Sequence, residues 1–524
     1  MSGAGMSVGP AHREKVSMRG VAKRFGDVTA LRGVDFTVAG GEIHGLLGEN
    51  GAGKTTLMNV LSGLYRADRA EIAIDGRPVV IRSPADALAH RIGMVHQHVE
   101  LIASFTALEN VLLGREGGRW QLHLDRHRHS VEAVARRFGL AVPLDVPVRT
   151  LAAGVQQKIE ILKALYRGVE ILILDEPTTM LTPQEVDVLF ATIRTMTAEG
   201  LTVIFITHKI REILANCDRI TVMQAGVVAA TLDRAAADEA ILVEMMIGQR
   251  PSGMSIGTPA GARVAGAAPL LEVRELVVEA DQVARAVDRC SFALAGGELV
   301  GLAGVAGNGQ RELAEALVGL LPAAEGSIAV AGSEVTRASV RERLAAGLVH
   351  IAEDRIEGGV LPGLSVTENL MLGLHRLAFR GRLYDRRAAG DLARRVVAEY
   401  AVVAPHEDMP ATSLSGGNIQ KLMVARAMML AEITGGRVVV AANPTRGLDV
   451  RATEFVRSRL VDFVQHDGAV LLVSEDLDEL LQLCDRILVM YRGRIVGDLP
   501  RPEFDAYRIG ALMAGTRDEV QACA

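Results

Sequence analysis

The first residues with a recognisable chemistry form a glycine-rich segment near the start of the printed sequence. Residues 48–55 read GENGAGKT, which fits the pattern G-x-x-x-x-G-K-[ST]. An apolar run at residues 43–47 predicts a strand before this loop, and a helix is expected from Thr56 onward. The backbone N–H groups of such a loop close around phosphate oxygens, and the helix N-terminus adds positive potential. The expected phosphate-binding residues are Gly48, Glu49, Asn50, Gly51, Ala52, Gly53, Lys54, Thr55 and Thr56.

Two carboxylates further along the chain could bind Mg²⁺ and activate water beside a bound phosphate. Lys54 is expected to reach the β- and γ-phosphates, and Thr55 offers a hydroxyl to Mg²⁺. Residues 171–176 read ILILDE, so an apolar strand ends in Asp175 and Glu176. Asp175 would hold Mg²⁺, and Glu176 would orient or deprotonate an attacking water. The alternative is a surface acidic pair at a strand end, and the phosphate loop in the same chain favours the metal-binding interpretation.

The elements that must position these residues alternate between strands and helices. Short apolar runs at residues 171–174, 203–206 and 470–473 predict buried strands. Amphipathic stretches such as Pro183–Ala198 separate them. This alternation predicts an α/β fold with a mostly parallel sheet.

The chain repeats itself once. The segment FTVAGGEIHGLLGENGAGK begins at Phe36, and FALAGGELVGLAGVAGNGQ begins 256 residues later at Phe292. In the same order, CDRITVM at Cys217 returns as CDRILVM 267 residues later at Cys484. So long a period indicates a duplicated domain. Residues 249–269 are rich in Gly, Ala, Pro and Ser and predict a linker, with domains at 14–248 and 270–516.

Composition narrows the function classes. The 524 residues are 49% hydrophobic and 23% charged, which excludes wholesale disorder. A net charge of −6 and only 1 Trp, 6 Tyr and 11 Phe argue against binding of nucleic acid. The four scattered cysteines indicate neither a disulfide framework nor a zinc knuckle. No apolar stretch is long enough to span a bilayer and no signal peptide is evident, so a membrane role would come through a partner.

A family resemblance rests on the order of these segments. The run ILILDEPTT, followed 32 residues after Glu176 by His208, resembles the Walker B and switch-histidine segments of ABC-type ATPases. The resemblance implies that His208 contacts the γ-phosphate, that Gln97 senses Mg²⁺ and that Phe25 stacks on adenine. It implies ATP and Mg²⁺ as cofactors, and domains with a parallel sheet core, an antiparallel β region and a helical subdomain. The implied catalytic residues are Glu176, His208, Lys54 and Gln97, and the implied metal ligands are Thr55, Gln97 and Asp175.

The second half has a phosphate loop with altered chemistry. Residues 304–311 read GVAGNGQR, so Gln310 replaces Lys54 and Arg311 replaces Thr55. Further replacements are expected at the other sites. Asp175 corresponds to Ala442, Glu176 to Asn443, His208 to Glu475 and Gln97 to about Ile351. This half alone is not expected to hydrolyse ATP.

The second half nevertheless carries an intact signature segment. Residues 414–418 read LSGGN, close to the family's LSGGQ, whereas residues 151–155 of the first half read LAAGV. In the family's head-to-tail arrangement, each site joins one P-loop to the opposite signature. Every element of one such site is present, and nearly every element of the other is changed. The resemblance thus implies that the halves pair within the chain and form one hydrolytic site, to which the second half contributes Ser415, Gly416, Gly417 and Asn418.

The resemblance covers roughly residues 15–515 and extends to ATPase subunits of simple-sugar and nucleoside importers. Residues 352–355 (AEDR) and 443–450 (NPTRGLDV) are similar to segments of that group, and residues 94–98 and 169–185 favour its nucleoside, basic-membrane-protein branch. It implies two integral-membrane permease subunits, an extracytoplasmic substrate-binding protein and a peripheral location on the cytoplasmic face of the membrane. Permease docking is expected at residues 98–110 and 356–369.

Other interpretations are weaker. A soluble tandem ABC ATPase acting on ribosomes or nucleic acid would normally keep both sites and a long charged linker, which this chain lacks. A scaffold without ATPase activity does not explain the complete first site. The histidines His123, His127 and His129 suggest a metal site, but their polar, arginine-rich surroundings favour a solvated surface.

Overall fold

A computed structural model describes residues 14–26, 28–49, 51–97, 100–114, 124–179, 181–247, 268–280, 283–374, 379–380 and 383–515. The chain divides into two units. The first comprises residues 1–181 and 185–253, and the second comprises residues 182–184 and 254–524. The predicted linker at 249–269 lies almost entirely outside the described residues.

The elements of the first unit alternate between strands and helices. Its strands are β1 (Glu14–Phe25), β2 (Val28–Ala39), β3 (Ile43–Gly48), β4 (Arg69–Ile74), β5 (Arg77–Val79), β6 (Ile92–Val95), β7 (Ile171–Asp175), β8 (Thr202–Thr207), β9 (Arg219–Gln224) and β10 (Val227–Asp233). Its helices are α1 (Lys54–Leu61), α2 (Pro84–Ala89), α3 (Ala107–Leu112), α4 (Leu124–Arg137), α5 (Ala153–Tyr166), α6 (Pro183–Ala198), α7 (Ile210–Asn216) and α8 (Glu239–Ile247).

Three parts make up this unit. A six-stranded sheet has the order β10-β9-β3-β8-β7-β6, parallel except for the edge strand β10. A four-stranded antiparallel sheet has the order β2-β1-β4-β5. Helices α3, α4 and α5 pack on one another as a helical subdomain. The predicted fold class is confirmed.

The second unit repeats this plan. Its strands are β11 (Leu271–Ala280), β12 (Val283–Leu294), β13 (Leu299–Ala303), β14 (Glu325–Val330), β15 (Ser333–Glu334), β16 (Leu348–Ile351), β17 (Phe379–Arg380), β18 (Leu383–Tyr384), β19 (Val438–Ala442), β20 (Ala469–Val473), β21 (Arg486–Tyr491) and β22 (Arg494–Pro500). Its helices are α9 (Gln310–Val318), α10 (Val340–Ala345), α11 (Val366–Leu370), α12 (Arg386–Glu399), α13 (Gly416–Thr434), α14 (Val450–Gln465), α15 (Leu477–Leu483) and α16 (Ala506–Ala514).

The sheets of the second unit match those of the first. Its six-stranded sheet has the order β16-β19-β20-β13-β21-β22, and its antiparallel sheet has the order β12-β11-β14-β15. A short hairpin, β17-β18, also belongs to this unit. The duplication inferred from the sequence is therefore a duplication of topology.

Apolar sequence accounts for the parallel cores. Every residue of β7, β8 and β20 is buried, as expected for strands covered on both faces. The strands predicted from these runs are confirmed, as is the helix Pro183–Ala198. In the first unit, β3, β7 and β8 run parallel, so their carboxyl ends meet at one edge of the sheet. This edge positions the candidate site.

Two further sequence expectations concern the cysteines and the possibility of a membrane-spanning segment. Cys217, Cys290 and Cys484 are buried free thiols. Burial raises the pKa of the Cys290 thiol to about 11. Among the helices that the structure describes, none has the length and apolar character required to cross a membrane.

Candidate functional site

The phosphate loop lies between β3 and α1, as the sequence predicted. Gly51 and Gly53 have φ values of +85° and +100°, which L-residues with a side chain rarely adopt. A Cβ on Gly48 would overlap the Met223 carbonyl oxygen. The loop therefore requires glycine at these places, and it delivers the N-terminus of α1 to the sheet edge. Asn50 lies outside the described residues.

The Lys54 side chain is folded into this loop. Its ammonium group donates to the carbonyl oxygens of Gly48 at 2.7 Å and Glu49 at 3.0 Å, and the residue is 5% exposed. Burial lowers the pKa of Lys54, and the negative charges of Glu176 and Asp175 oppose that shift. The loop thus holds a buried cation at the place where phosphate oxygens would arrive.

The predicted magnesium ligands lie around the same edge. Asp175 ends β7 and is 4% exposed, and it shares a hydrogen bond with the Thr55 hydroxyl. Burial raises the pKa of Asp175, while the Thr55 hydrogen bond opposes that rise. The hydroxyl, the carboxylate and the amide oxygen of Gln97 are the hard oxygen donors that Mg²⁺ prefers. The residues present therefore fit the metal.

Glu176 is held between two other predicted residues. Its carboxylate accepts from the Gln97 amide nitrogen at 3.0 Å and pairs with His208 Nδ1 at 2.9 Å. Burial opposes ionisation of Glu176, but the hydrogen bond and charge of His208, aided by Lys54, outweigh it and lower its pKa. The carboxylate is therefore ionised and oriented, as a group that positions or deprotonates water must be. The structure brings Lys54, Gln97, Asp175, Glu176 and His208 together.

The remaining predicted residues of the first unit are Phe25, Ala52 and Thr56. Phe25 ends β1 with 42% of its surface exposed, and its ring meets the edge of Tyr65 with centroids 5.2 Å apart. Tyr65 was not identified from the sequence, since only proximity in space connects it to Phe25. Ala52 is buried in the loop, and Thr56 lies in the first turn of α1.

The second P-loop keeps the shape of the first and changes its chemistry. Gly307 and Gly309 have φ values of +87° and +105°, close to those of the first loop. The Gln310 amide donates to the Val305 carbonyl at 3.2 Å, as Lys54 does to Glu49. Arg311 is exposed and pairs with Glu315 at 2.8 Å. The loop therefore carries neither the ammonium group nor the hydroxyl of the first.

Strand register corrects one correspondence between the halves. In the first unit Val95 pairs with Leu174, and in the second Ile351 pairs with Ala441. Ile351 is therefore the counterpart of Val95, and Gln97 corresponds to Glu353. The prediction of about Ile351 was wrong by two residues, because the similar letters GMVH and GLVH are offset by two residues from the register in which the two strands pair.

The signature segments differ at the helix cap. Ser415 caps α13, accepting from the Asn418 backbone N–H at 3.4 Å and its amide nitrogen at 2.9 Å. The Asn418 amide oxygen accepts from the Val403 backbone N–H at 2.8 Å. Gly416 and Gly417 open the helix beside it. The first unit has Ala152 at the cap of α5 and makes no side-chain cap hydrogen bond there.

A threonine–glutamate hydrogen bond supports this edge of the sheet in both units and was not predicted from the sequence. Thr178 donates to Glu212 at 2.8 Å, and Thr445 donates to Glu479 at 2.7 Å. Each threonine comes two residues after Glu176 or its counterpart Asn443, so the pair ties that turn to the helix after the neighbouring strand. The repetition of both residue types at matching places was the signal available in the sequence.

Two of the three histidines named from the sequence, His127 and His129, lie on α4. His127 Nδ1 lies 3.0 Å from the Tyr166 hydroxyl, and His129 is exposed. His123 lies outside the described residues. Within the part of the chain that the structure describes, no group of three or more His, Cys, Asp or Glu side chains is arranged to hold a metal ion.

Comparison with known proteins agrees with this geometry. The family model described as ABC transporter matches residues 31–179 and again 287–433. The glucose import ATP-binding protein TsgD13 of Haloferax volcanii is 39% identical, with 96% of each chain covered. The nucleoside import ATP-binding protein NupA of Lactococcus lactis is 37% identical over 96% of this chain and 99% of its own. The ribose import ATP-binding protein RbsA 1 of Burkholderia thailandensis is 39% identical over 94% and 96%. The chain therefore belongs to the ABC transporter family, as an ATPase that carries the family's domain twice.

Proposed function

We propose that this protein is the ATP-hydrolysing subunit of a membrane importer for nucleosides or simple sugars. The relatives that support this proposal are named import ATP-binding proteins and match this chain over nearly its whole length. Their names cover glucose, nucleosides and ribose, at identities of 37–39%. These identities do not rank the substrate classes, so the nucleoside branch stays a prediction from residues 94–98 and 169–185.

One observation carries the mechanism: the catalytic groups and the intact signature are found in different units. Lys54, Asp175 and Glu176 belong to the first unit, whereas the serine-capped signature helix belongs to the second. Independent drift would scatter losses over both possible sites. We therefore propose one competent composite site, formed by the first unit's Walker residues with Ser415–Asn418, and one degenerate site.

The chemistry of the competent site follows from its residues. Lys54 would bind the β- and γ-phosphates, and Phe25 would stack on the adenine. Glu176, ionised and held by Gln97 and His208, would take a proton from the attacking water. Mg²⁺, held by Thr55, Asp175 and Gln97, would neutralise charge on the phosphates when bound.

The partners would be two permease subunits and an extracytoplasmic substrate-binding protein. The protein would then lie on the cytoplasmic face of the membrane, attached through those permeases. Within the predicted docking segment of the first unit, Ile102 and Phe105 are exposed apolar side chains. In the second unit Ile356 and Leu361 are exposed in the same way. Such side chains are suited to a protein partner.

Matched substitutions in the two units test the competent site. Lys54→Ala should abolish phosphate release, whereas Gln310→Ala, at the equivalent place, should leave it within about twofold. Ser415→Ala should lower the rate and Ala152→Gly should not. Turnover that survives Lys54→Ala, or that is abolished by Gln310→Ala alone, would contradict the proposal.

Purification of the tagged protein from detergent-solubilised native membranes tests the importer. Mass spectrometry should identify two multispanning permeases, and an exported binding protein should join them. That binding protein, screened against nucleosides and sugars, would then settle the substrate class. Recovery of ribosomes or nucleic acid without membrane proteins would instead support the soluble class of tandem ABC ATPases.

A further inference from the structure

Two arginines of the second unit join segments that are far apart in sequence. Arg355 follows β16, Arg446 follows β19, and the signature helix α13 begins at Gly416. We propose that Arg355 and Arg446 form a latch that holds the start of the signature helix against its own unit without any nucleotide. They would be positioning residues for the competent site, an inference that rests on the composite arrangement proposed above.

The first part of the latch is the segment Glu353–Asp354–Arg355. The Asp354 carboxylate accepts from the backbone N–H groups of Ile356 at 2.7 Å and Glu357 at 2.6 Å. These bonds fix the turn of residues 355–359 from which the Arg355 side chain extends. Each acidic residue of the segment therefore has a defined partner, because Glu353 pairs with Arg446.

Arg355 connects that turn to the signature helix. Its Nε donates to the Gln420 amide oxygen at 3.1 Å, and Gln420 is buried in the second turn of α13. A second guanidinium nitrogen donates to the Arg446 carbonyl oxygen. A Cβ on Gly416 would lie 2.9 Å from Arg355 Nη1. One guanidinium nitrogen of Arg355 thus lies beside the first residue of the helix.

Arg446 supplies the second part of the latch. Its Nη1 lies 2.7 Å from a Glu353 oxygen and 3.7 Å from a Glu475 oxygen. Arg446 is exposed, with 41% of its side-chain surface accessible, whereas Glu353 and Glu475 are partly buried, with 32 and 22% accessible. The cation therefore lies between two carboxylates and offsets their repulsion.

The two units use opposite charges at this place. In the first unit the Glu176 carboxylate lies between Gln97 and His208. In the second, the Arg446 guanidinium lies between Glu353 and Glu475, the counterparts of Gln97 and His208. Thr179 occupies the place of Arg446 in the first unit and donates only to its local Glu176 carbonyl at 3.1 Å. By sequence position, Arg355 corresponds to Val99, which lies outside the described residues.

The exchange of a carboxylate in the first unit for a guanidinium in the second has a functional consequence. The first unit leaves its Gln97, Glu176 and His208 groups arranged for phosphate and water. In the second unit Arg446 joins the counterparts of Gln97 and His208, and Arg355 joins the neighbouring turn to the signature helix, so that helix is held whether or not nucleotide is bound. A preorganised signature lowers the cost of closing on the γ-phosphate, because less ordering remains to be done at that step.

Hydrogen exchange of the full chain without nucleotide tests the latch itself. Arg355→Val and Arg446→Thr introduce the residues that the first unit has at the corresponding sequence positions, Val99 and Thr179. Amides of residues 418–420, at the hydrogen-bonded start of α13, should then exchange about tenfold faster, because local opening becomes easier. Arg341→Thr, at an exposed arginine of α10, should leave that exchange unchanged. Unchanged exchange in both latch variants would overturn the latch, whatever their ATPase activity.

Steady-state hydrolysis tests the role in catalysis. Both latch variants should lower kcat/KM for ATP about tenfold, mainly through a higher KM. Their Kd for a fluorescent ADP analogue at the first P-loop should stay within about twofold, because ADP lacks the γ-phosphate that the signature would grip. Loss of ADP binding as well would show general misfolding and overturn a positioning role, and Arg446→Lys, which keeps the charge, should restore part of the rate.

A further variant separates this inference from the proposed function. If Ser415→Ala lowers hydrolysis but the latch variants do not, the composite site stands and the latch has no role in it. If Ser415→Ala has no effect, the composite site itself is wrong. The hydrogen-exchange result does not depend on either outcome.

Discussion

Glu176 and Asn443 share one unusual backbone conformation at the same place in the two units, with φ values of +46° and +42°. Each follows the last residue of a parallel strand, and its backbone N–H donates to the neighbouring strand, at 2.9 Å to Ile206 or 2.8 Å to Val473. A positive φ is more costly for glutamate than for asparagine. The first unit keeps glutamate there despite that cost, which is typical of functional sites.

Replacing Glu176 should separate nucleotide binding from hydrolysis. Glu176→Gln keeps the shape and its amide can still meet Gln97 and His208, but it cannot accept a proton from water. Phosphate release should fall about 100- to 10,000-fold while the Kd for ATP changes little. Rapid-mix phosphate detection and equilibrium binding with a fluorescent ATP analogue measure the two effects. Equal losses in binding and rate would contradict the assignment.

Removal of His208 should change the response to acid. Glu176 has a lowered pKa in the folded protein, so its ionised form contributes stability above the ordinary value near 4.5, and this is lost as the pH falls through the lower folded value. Because His208 supports that lowering, His208→Ala should begin to lose stability at a higher pH. Acid unfolding followed by circular dichroism between about pH 3 and 6.5 measures the shift. An unchanged acid midpoint would show that the pair does not act on Glu176.

Exchanging the signature caps should change stability in opposite directions. Ala152→Ser supplies the cap hydrogen bond that α5 lacks and should stabilise the first unit by about 0.5–2 kcal/mol. Ser415→Ala should destabilise the second unit by a similar amount. At this domain size each kcal/mol corresponds to roughly 2–4 °C in Tm, measurable by scanning calorimetry. Ala152→Ser should leave hydrolysis unchanged, since Gln310 and Ala442 still lack the required groups, and a new ATPase phase would contradict this.

Adenine affinity should depend on the Phe25 ring. Phe25→Ala removes the exposed aromatic face and should raise the Kd for ATP about tenfold, since stacking on a base contributes about 1–3 kcal/mol. Phe25→Trp should retain binding. Val28→Ala, at an exposed residue that pairs with Phe25 across β1 and β2, is the matched control. Equal affinity in Phe25→Ala would remove this residue from the nucleotide site.

Magnesium dependence should follow the oxygen donors. Chelation of divalent cations should abolish phosphate release, and Mg²⁺ should restore it. Asp175→Ala, which places the second unit's Ala442 in the first, should raise the Mg²⁺ concentration for half-maximal rate at least tenfold, because a buried carboxylate ligand is lost. A titration of hydrolysis against free Mg²⁺ measures this. The same half-maximal concentration in both proteins would exclude Asp175 as a ligand.

Local sequence was sufficient to predict much of the secondary structure and the duplication of this protein. The P-loop is contiguous, so its spacing alone predicted a strand, a glycine-rich loop and a helix. The apolar runs predicted β7, β8 and β20, and Pro183–Ala198 matched α6 at both ends. The repeat predicted two units of one topology, because the order of short segments survives even where individual residues have changed.

Only the tertiary structure decided which distant residues meet. Glu353, Arg446 and Glu475 lie far apart in the chain, and they meet because the strands before them are neighbours in a parallel sheet. The same geometry moved the counterpart of Gln97 from Ile351 to Glu353, since hydrogen-bond register is set between strands. A sequence specifies which groups are available, and the pairing of strands specifies which of those groups lie within bonding distance.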